Sequence, residues 1–347
     1  MKKTLIALAV LAAAGTSFAQ VTVSGKLGFS YQKNANAAGG AANHGMQMAD
    51  GDIGFKAVED LGGGMSITAD TRMKLRGRDT TIDGRDAHLT LVTGVGAFRL
   101  AAAETCSKLE DVMSGATSTS TGIDSKFSAL DTCSNVDAAS YIVPVGPFTG
   151  TLSYIEFVPG AGVASTVTAW VVGGTYSSGP LMVSLDHTAY QADKTAGLAV
   201  SPTTTVAGFG SYADGGSRTR LVGSYDFGVA KVGAGFQVKN KSAADQYLLS
   251  LAVPVGALTF GIDYANRAAQ GNPDLDAAAK GAASAVYGVA NGDDSRTYLA
   301  VGATYALSKT TSFNVTAAQH TGAGANSLTG AKAQYENEYR MRLMKSF

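Results

Sequence analysis

Apolar and polar positions alternate with a period of two along most of the chain. Val21, Val23, Leu27, Phe29 and Tyr31 share one parity, and Thr22, Ser24, Lys26 and Ser30 take the other. Successive side chains of a strand point to opposite faces, so this segment predicts a strand with one apolar and one polar side. The clearest case sets Met65, Ile67, Ala69, Met73 and Leu75 against Ser66, Thr68, Asp70, Arg72, Lys74 and Arg76. The last segment repeats the pattern, with Tyr335, Tyr339, Met341, Leu343 and Phe347 against Glu336, Glu338, Arg340, Arg342 and Ser346. A terminal strand with an open edge invites aggregation, and closure onto the first strand removes that edge.

The same reading places a second strand from about Ala49 to the turn Asp60-Leu61-Gly62-Gly63-Gly64. Further strands follow at roughly 85–93, 97–104, 140–145, 148–158, 166–176, 181–190, 217–226, 230–240, 245–253, 257–266, 296–306, 311–319 and 334–347. The total is about sixteen, an even number that returns both ends to one rim. Short turns at Thr93–Gly96, Ser177–Pro180, Asp226–Val229 and Pro254–Gly256 alternate with long polar connections near 105–139, 191–216 and 267–295. Unstructured connections of that length are uncommon in compact soluble domains. Short turns on one rim and long loops on the other, with apolar faces outward and polar faces inward, predict an all-β, transmembrane antiparallel barrel around a wet lumen.

The chain begins with Lys2 and Lys3, an apolar run from Leu5 to Ala14, and the small-x-small site Ser17-Phe18-Ala19. This is the pattern of a cleaved export signal over residues 1–19, leaving one barrel domain over 20–347. The apolar run is only about ten residues, half of what a spanning helix needs. With 43 Gly, 14 Tyr and 13 Phe but only 7 Pro and 1 Trp, the composition suits many short strands joined by glycine turns. The 27 basic and 27 acidic side chains balance, and loss of Lys2 and Lys3 leaves a slight acidic excess. That excludes a generally cationic nucleic-acid binder. The two cysteines, Cys106 and Cys133, would pass an oxidising compartment, where one intrachain bridge is the expectation and two free thiols the alternative.

Several stretches resemble the trimeric porins of Gram-negative bacteria, particularly the branch found in Neisseria and Burkholderia-like bacteria. They are the signal segment Met1–Val10, the segment Gly54-Phe55-Lys56-Ala57-Val58-Glu59-Asp60-Leu61-Gly62-Gly63-Gly64-Met65, Gly84–Leu91 followed by Val95–Leu100, and the terminal Phe347. Two departures stand out: Asp52-Ile53 where relatives often carry a basic residue, and Ala101-Ala102-Ala103-Glu104-Thr105-Cys106 where a more polar stretch is common. The resemblance implies a sixteen-stranded barrel in the outer membrane, in contact with lipid and lipopolysaccharide. It also implies a homotrimer, a third long loop folded inward to narrow the channel, and a Phe347 read by the outer-membrane assembly machinery. It implies passive diffusion of small hydrophilic solutes, with no cofactor and no catalysis.

A channel selects by the size and charge of its constriction. Parity places Lys56, Arg72, Lys74, Arg76, Arg99, Arg340 and Arg342 on the lumen side, with Lys26, Arg218, Arg220, Lys231, Lys239 and Arg296. The inward acids are Asp52, Asp70, Asp186, Asp226, Asp263, Glu336 and Glu338, so basic groups outnumber acidic ones. A basic wall attracts anions; the simpler account is that these side chains only keep a wide lumen wet. The 105–139 connection carries Glu110, Asp111, Asp124, Asp131 and Asp137 against Lys108 and Lys126. Folded inward, it would set an acidic loop against the basic wall; left outside, it would meet solvent. A bridge across about 28 of its residues would stabilise the chain by roughly 3.5 kcal/mol on the chain-entropy model.

Other signals point nowhere. His44, His88, His187 and His320 have no metal-ligand spacing, and Gly62–Gly64 lacks the Lys-Ser/Thr ending of a phosphate loop. Trp170, Tyr154, Tyr176, Tyr225, Phe260, Tyr264 and Tyr305 fit aromatic girdles where strands cross membrane interfaces. Two other classes stay open: an outer-membrane barrel adhesin with little conductance, and a soluble exported β-sandwich or barrel enzyme.

Overall fold

The computed structural model describes residues 20–36, 44–75, 77, 82–117, 130, 133–157, 167–192, 198–201, 204–206, 215–240, 245–268, 296–321, 324–325, 332–333 and 335–347. The strands are β1 (Gln20–Asn36), β2 (His44–Gly62), β3 (Met65–Lys74), β4 (Asp83–Thr93), β5 (Gly96–Thr105), β6 (Ser134–Val145), β7 (Phe148–Phe157), β8 (Val167–Ser178) and β9 (Leu181–Ala192). After the short pair β10 (Leu198–Ser201) and β11 (Thr204–Val206) come β12 (Ser217–Asp226), β13 (Lys231–Lys239), β14 (Gln246–Val255), β15 (Leu258–Arg267), β16 (Arg296–Ser308) and β17 (Thr311–Thr321). A second short pair, β18 (Gly324–Ala325) and β19 (Lys332–Ala333), precedes β20 (Tyr335–Ser346).

Sixteen strands close a barrel, each antiparallel to its neighbours, and β20 pairs back onto β1. The two short pairs stand outside that wall as separate ribbons. At the seam, the Phe347 N–H donates to Gly25 O and the Gly25 N–H to Phe347 O, both at 2.9 Å. The last residue therefore completes the ladder and leaves no open edge there.

Alternation holds because one face meets lipid and the other a polar interior. Leu27, Phe29, Leu221, Phe236, Leu249, Ile262, Val301 and Val315 are exposed on the outer surface, while Ser30, Asp50, Gln237, Gln246 and Asn314 are buried inside. Aromatic pairs stand on the outer surface of β5–β8: Phe98 with Tyr141 and Phe148 with Tyr176 near the short turns, and Tyr154 with Trp170 toward the other rim. Gly62, Gly63 and Gly64 all take positive φ (76°, 63° and 79°), a conformation that only glycine adopts without strain. The run is thus a tight turn between β2 and β3.

Two bulges moved strand boundaries. Gly28 faces Asp50 while Phe29 faces Met48, so Ala49 is an extra residue. A bulge resets the parity, and β2 accordingly begins at His44, five residues before the position that alternation gave. Likewise Thr71 faces Ala87 and Met73 faces Gly84, which sets Arg85 and Asp86 together against Arg72. The largest boundary change is at β6, which begins at Ser134 and not near 140. Asp137 is therefore a strand residue on the outer face, paired across from Glu156, and not a loop acid.

Candidate functional site

The segment between β5 and β6 turns into the barrel. It opens with a single 3-10 helix over Lys108–Val112. Side chains three apart eclipse in such a helix, so Leu109 and Val112 share one face and Lys108 and Asp111 the other. Leu109 and Val112 bury completely, with Leu130, against inward-facing Val222, Leu248, Ala265, Tyr298 and Ala300. These apolar residues occupy lumen positions on β12, β14, β15 and β16. An apolar core thus lies inside a barrel whose inner face also carries buried Ser30, Asp50, Gln237 and Gln246.

Polar groups fix the loop to the same wall. The Ser114 N–H and hydroxyl donate to the two oxygens of Asp263, at 2.9 and 2.8 Å. Asn314 Nδ2 donates to Ala116 O at 2.6 Å, and the Ser250 hydroxyl donates to Val112 O. Close approach needs bare backbone. A Cβ at Gly235 would lie 2.9 Å from Leu109 Cγ, one at Gly261 would lie 2.7 Å from Ala116 Cβ, and Gly233 and Gly302 meet Val112 O and Ala116 O in the same way. At the neck, Cys106 and Cys133 form a disulfide.

Because the loop covers β12–β17, the channel runs past the inward face of β2–β5. Register sets the charges there. Lys56 faces Asp70, which faces His88; Gly54 faces Arg72, Asp52 faces Lys74, and Thr90 faces Arg99. Lys56, Arg72 and Arg99 are exposed to the channel and Lys74 is half-buried. Arg99 Nε donates to Thr90 Oγ1 at 3.1 Å. Among the described residues Lys56, Arg72, Lys74 and Arg99 form no ion pair.

Most wall carboxylates, by contrast, are held by cations or by the loop, and Asp70 meets His88 Nδ1 at 3.3 Å. Asp50 contacts Lys26 Nζ and Arg342 Nη1, each at 3.1 Å. Asp52 contacts Lys26 at 3.4 Å and Arg85 at 3.3 Å. Asp186 takes the Arg220 Nε–H at 2.9 Å, and Asp263 holds the loop. On β2–β5 the four cations Lys56, Arg72, Lys74 and Arg99 thus outnumber Asp70, the inward acid there that no lysine or arginine pairs among the described residues.

On the loop, Asp111 is exposed and Glu110 half-buried. The Asp111 carboxyl is raised above its usual range, chiefly by desolvation and against the pull of Lys108 and Arg220. Its own surface meets channel water, but barrel and loop surround it at longer range and displace bulk solvent.

The sequence-predicted site residues sort into three groups. Lys56, Arg72, Lys74 and Arg99 stand together on β2–β5, opposite the loop that carries Glu110 and Asp111. Arg340 and Arg342 face inward but are only 2% and 7% exposed; they lie inside the wall and not on the channel surface. Arg76, Asp124 and Asp131 lie outside the described residues, as does the side chain of His320. Alternation missed Arg85, whose parity the β4 bulge conceals, and the anchoring role of Ser114, Asp263 and Asn314, which needs the loop's path.

Residues 4–325 match the family described as Gram-negative porin. The chain belongs to that family. Among solved structures, this porin is similar to an anion-selective porin from Comamonas acidovorans, at TM-score 0.64 and 18% identity, covering 95% of this chain and 100% of that one. It is also similar to a loop-deletion mutant of OmpT from Vibrio cholerae, at TM-score 0.62 and 13% identity over 94% and 99% of the two chains. A mutant Rh. blastica porin gives 0.61 at 12% identity over 94% and 100%. No curated protein matches the chain by sequence. The family makes this an outer-membrane diffusion channel.

Proposed function

We propose that this porin passes small hydrophilic solutes with a preference for anions. The observation that carries the reading is the imbalance of free charge: Lys56, Arg72, Lys74 and Arg99 face the channel without ion pairs among the described residues. The acids Asp50, Asp52, Asp186 and Asp263 are all engaged by cations or by the loop. Uncompensated cations in a narrow, partly low-dielectric passage raise the local concentration of anions and repel cations. The similarity to a porin named as anion-selective supports the same reading. A transverse field from this wall toward Asp111 and Glu110 on the loop orients dipolar solutes as they pass.

Zero-current potential across a planar bilayer under a salt gradient tests the preference. Wild-type channels should give the sign of anion selectivity. Arg72→Glu with Lys74→Glu should move the potential toward cations, whereas Lys345→Glu, on the outer face where Lys345 donates to Thr310 Oγ1, should leave it unchanged. A cation-selective wild type would end the reading, and the absence of discrete conductance steps would favour an adhesin.

The working form in this reading is a homotrimer. An apolar depression of about 790 Å³ lies on the outer surface across β1–β7, floored by Ala57, Ala69, Ala87, Ala102 and Ala139 beside Phe55. Small side chains there let another copy approach closely, whereas β12–β17 present bulky residues to lipid. Export by the 1–19 signal and recognition of Phe347 during assembly, in contact with lipopolysaccharide, belong to the same proposal.

A further inference from the structure

The neck of the constriction loop carries a ligand set that the channel function does not use. Glu104 faces Asn135 and Thr105 faces Ser134, where the ladder ends, and the next residue on each side is one of the bridged cysteines, Cys106 and Cys133. A Glu104 carboxylate oxygen and both sulfur atoms lie within 4.8 Å of one another. A second carboxylate adjoins them, since Asp86 Oδ1 accepts the Glu104 N–H at 3.1 Å. One guanidinium, that of Arg85, stands 3.8 Å from each of these two acids.

We propose that reduction of the Cys106–Cys133 bridge converts this neck into a binding site for a thiophilic divalent cation of the Zn²⁺ class. Two equivalents of an external thiol are oxidised to their disulfide, the S–S bond breaks, and each cysteine sulfur gains a proton. The cation then displaces those two protons and binds both thiolates, with the Glu104 carboxylate as third ligand and water as fourth. Two thiolates select a soft or borderline ion over Mg²⁺ or Ca²⁺. Cys106, Cys133 and Glu104 are only half-buried, which leaves the bridge within reach of small thiols. Pairing of Thr105 with Ser134 closes the neck independently of the covalent bond, so the thiols stay together after reduction. The loop thereby keeps a clasp in either redox state, covalent in one and coordinative in the other.

Cobalt(II) titration of the full-length porin tests the site. The protein is reduced with dithiothreitol in detergent, freed of reductant without air, and followed for sulfur-to-cobalt charge transfer with the visible bands of a tetrahedral ion. Reduced wild type should bind one Co²⁺ per chain, which Zn²⁺ displaces, and oxidised wild type none. Glu104→Gln, which keeps the disulfide and can be checked for folding by its conductance, should weaken binding at least about tenfold after reduction. Equal cobalt uptake by oxidised and reduced protein, or unchanged affinity in Glu104→Gln, would overturn the proposal.

Discussion

Asp111 sets how the constriction responds to acid. Its carboxyl protonates above the ordinary 3.8 because desolvation by loop and barrel outweighs Lys108 and Arg220, with Asp186 pushing the same way as burial. As pH falls from neutral, this negative charge is lost earlier than that of an ordinary carboxylate. The basic wall opposite is unaffected, so anion preference should rise on acidification. Zero-current potentials across a pH series check it: the rise should be smaller in Asp111→Asn, which already lacks the charge at neutral pH. Equal pH profiles in the two proteins would remove Asp111 from the constriction. Arg342 has another place. With Lys26 it holds the buried Asp50 carboxylate, and removing one partner of a buried ion pair is costly. Arg342→Ala should destabilise the barrel by about 3 kcal/mol, seen as unfolding at lower temperature in heat-modifiability gels, with little change in selectivity.

At the scale of elements, the constriction loop is held by its fit to the wall more than by its neck. Thr105 and Ser134 are already paired, so the disulfide adds little to where the loop's far end lies. Leu109 and Val112 fill the bed beside Gly233 and Gly235, and Asp263 takes both Ser114 donors. Gly235→Leu would drive a side chain into the space of Leu109 and lift the loop. The expected result is a larger or noisier single-channel current, while Gly174→Leu, whose Cβ position is open, should conduct as wild type.

The strands themselves were legible, because lipid on one side and water on the other enforce a period of two from Val21 to Phe347. Legibility failed where that period breaks or where a second contact overrides it. The bulge at Ala49 hid the start of β2, and the bulge at Arg85 and Asp86 hid a lumen cation. Val222, Leu248 and Tyr298 face inward against the expectation for apolar residues, because the loop brings an apolar core to them. Arg340 and Arg342 show the same limit from the other side: parity tells which face a residue takes, and packing decides whether water reaches it.

On the scale of the whole molecule the barrel is asymmetric outside as well as inside. Within, the loop leans on β12–β17 and leaves the cationic face of β2–β5 open. Outside, the small residues of the apolar depression lie over that same cationic arc, with bulky Leu221, Phe236, Leu249 and Ile262 exposed on the far side. If copies meet through the depression, the selective wall of each channel is backed by a neighbouring subunit and not by lipid. The fit depends on backbone approach, which alanine permits and larger side chains prevent. Ala87→Leu with Ala102→Leu should therefore dissociate the trimer to monomers, read by light scattering in detergent. Each monomer should still show the gel shift on heating that marks a closed barrel, since neither residue contributes to the β1–β20 seam or to the loop's bed. A trimer that survives both substitutions would move the interface to another face. A single-channel record from the dissociated protein would then show whether the β2–β5 wall keeps its selectivity without a subunit behind it.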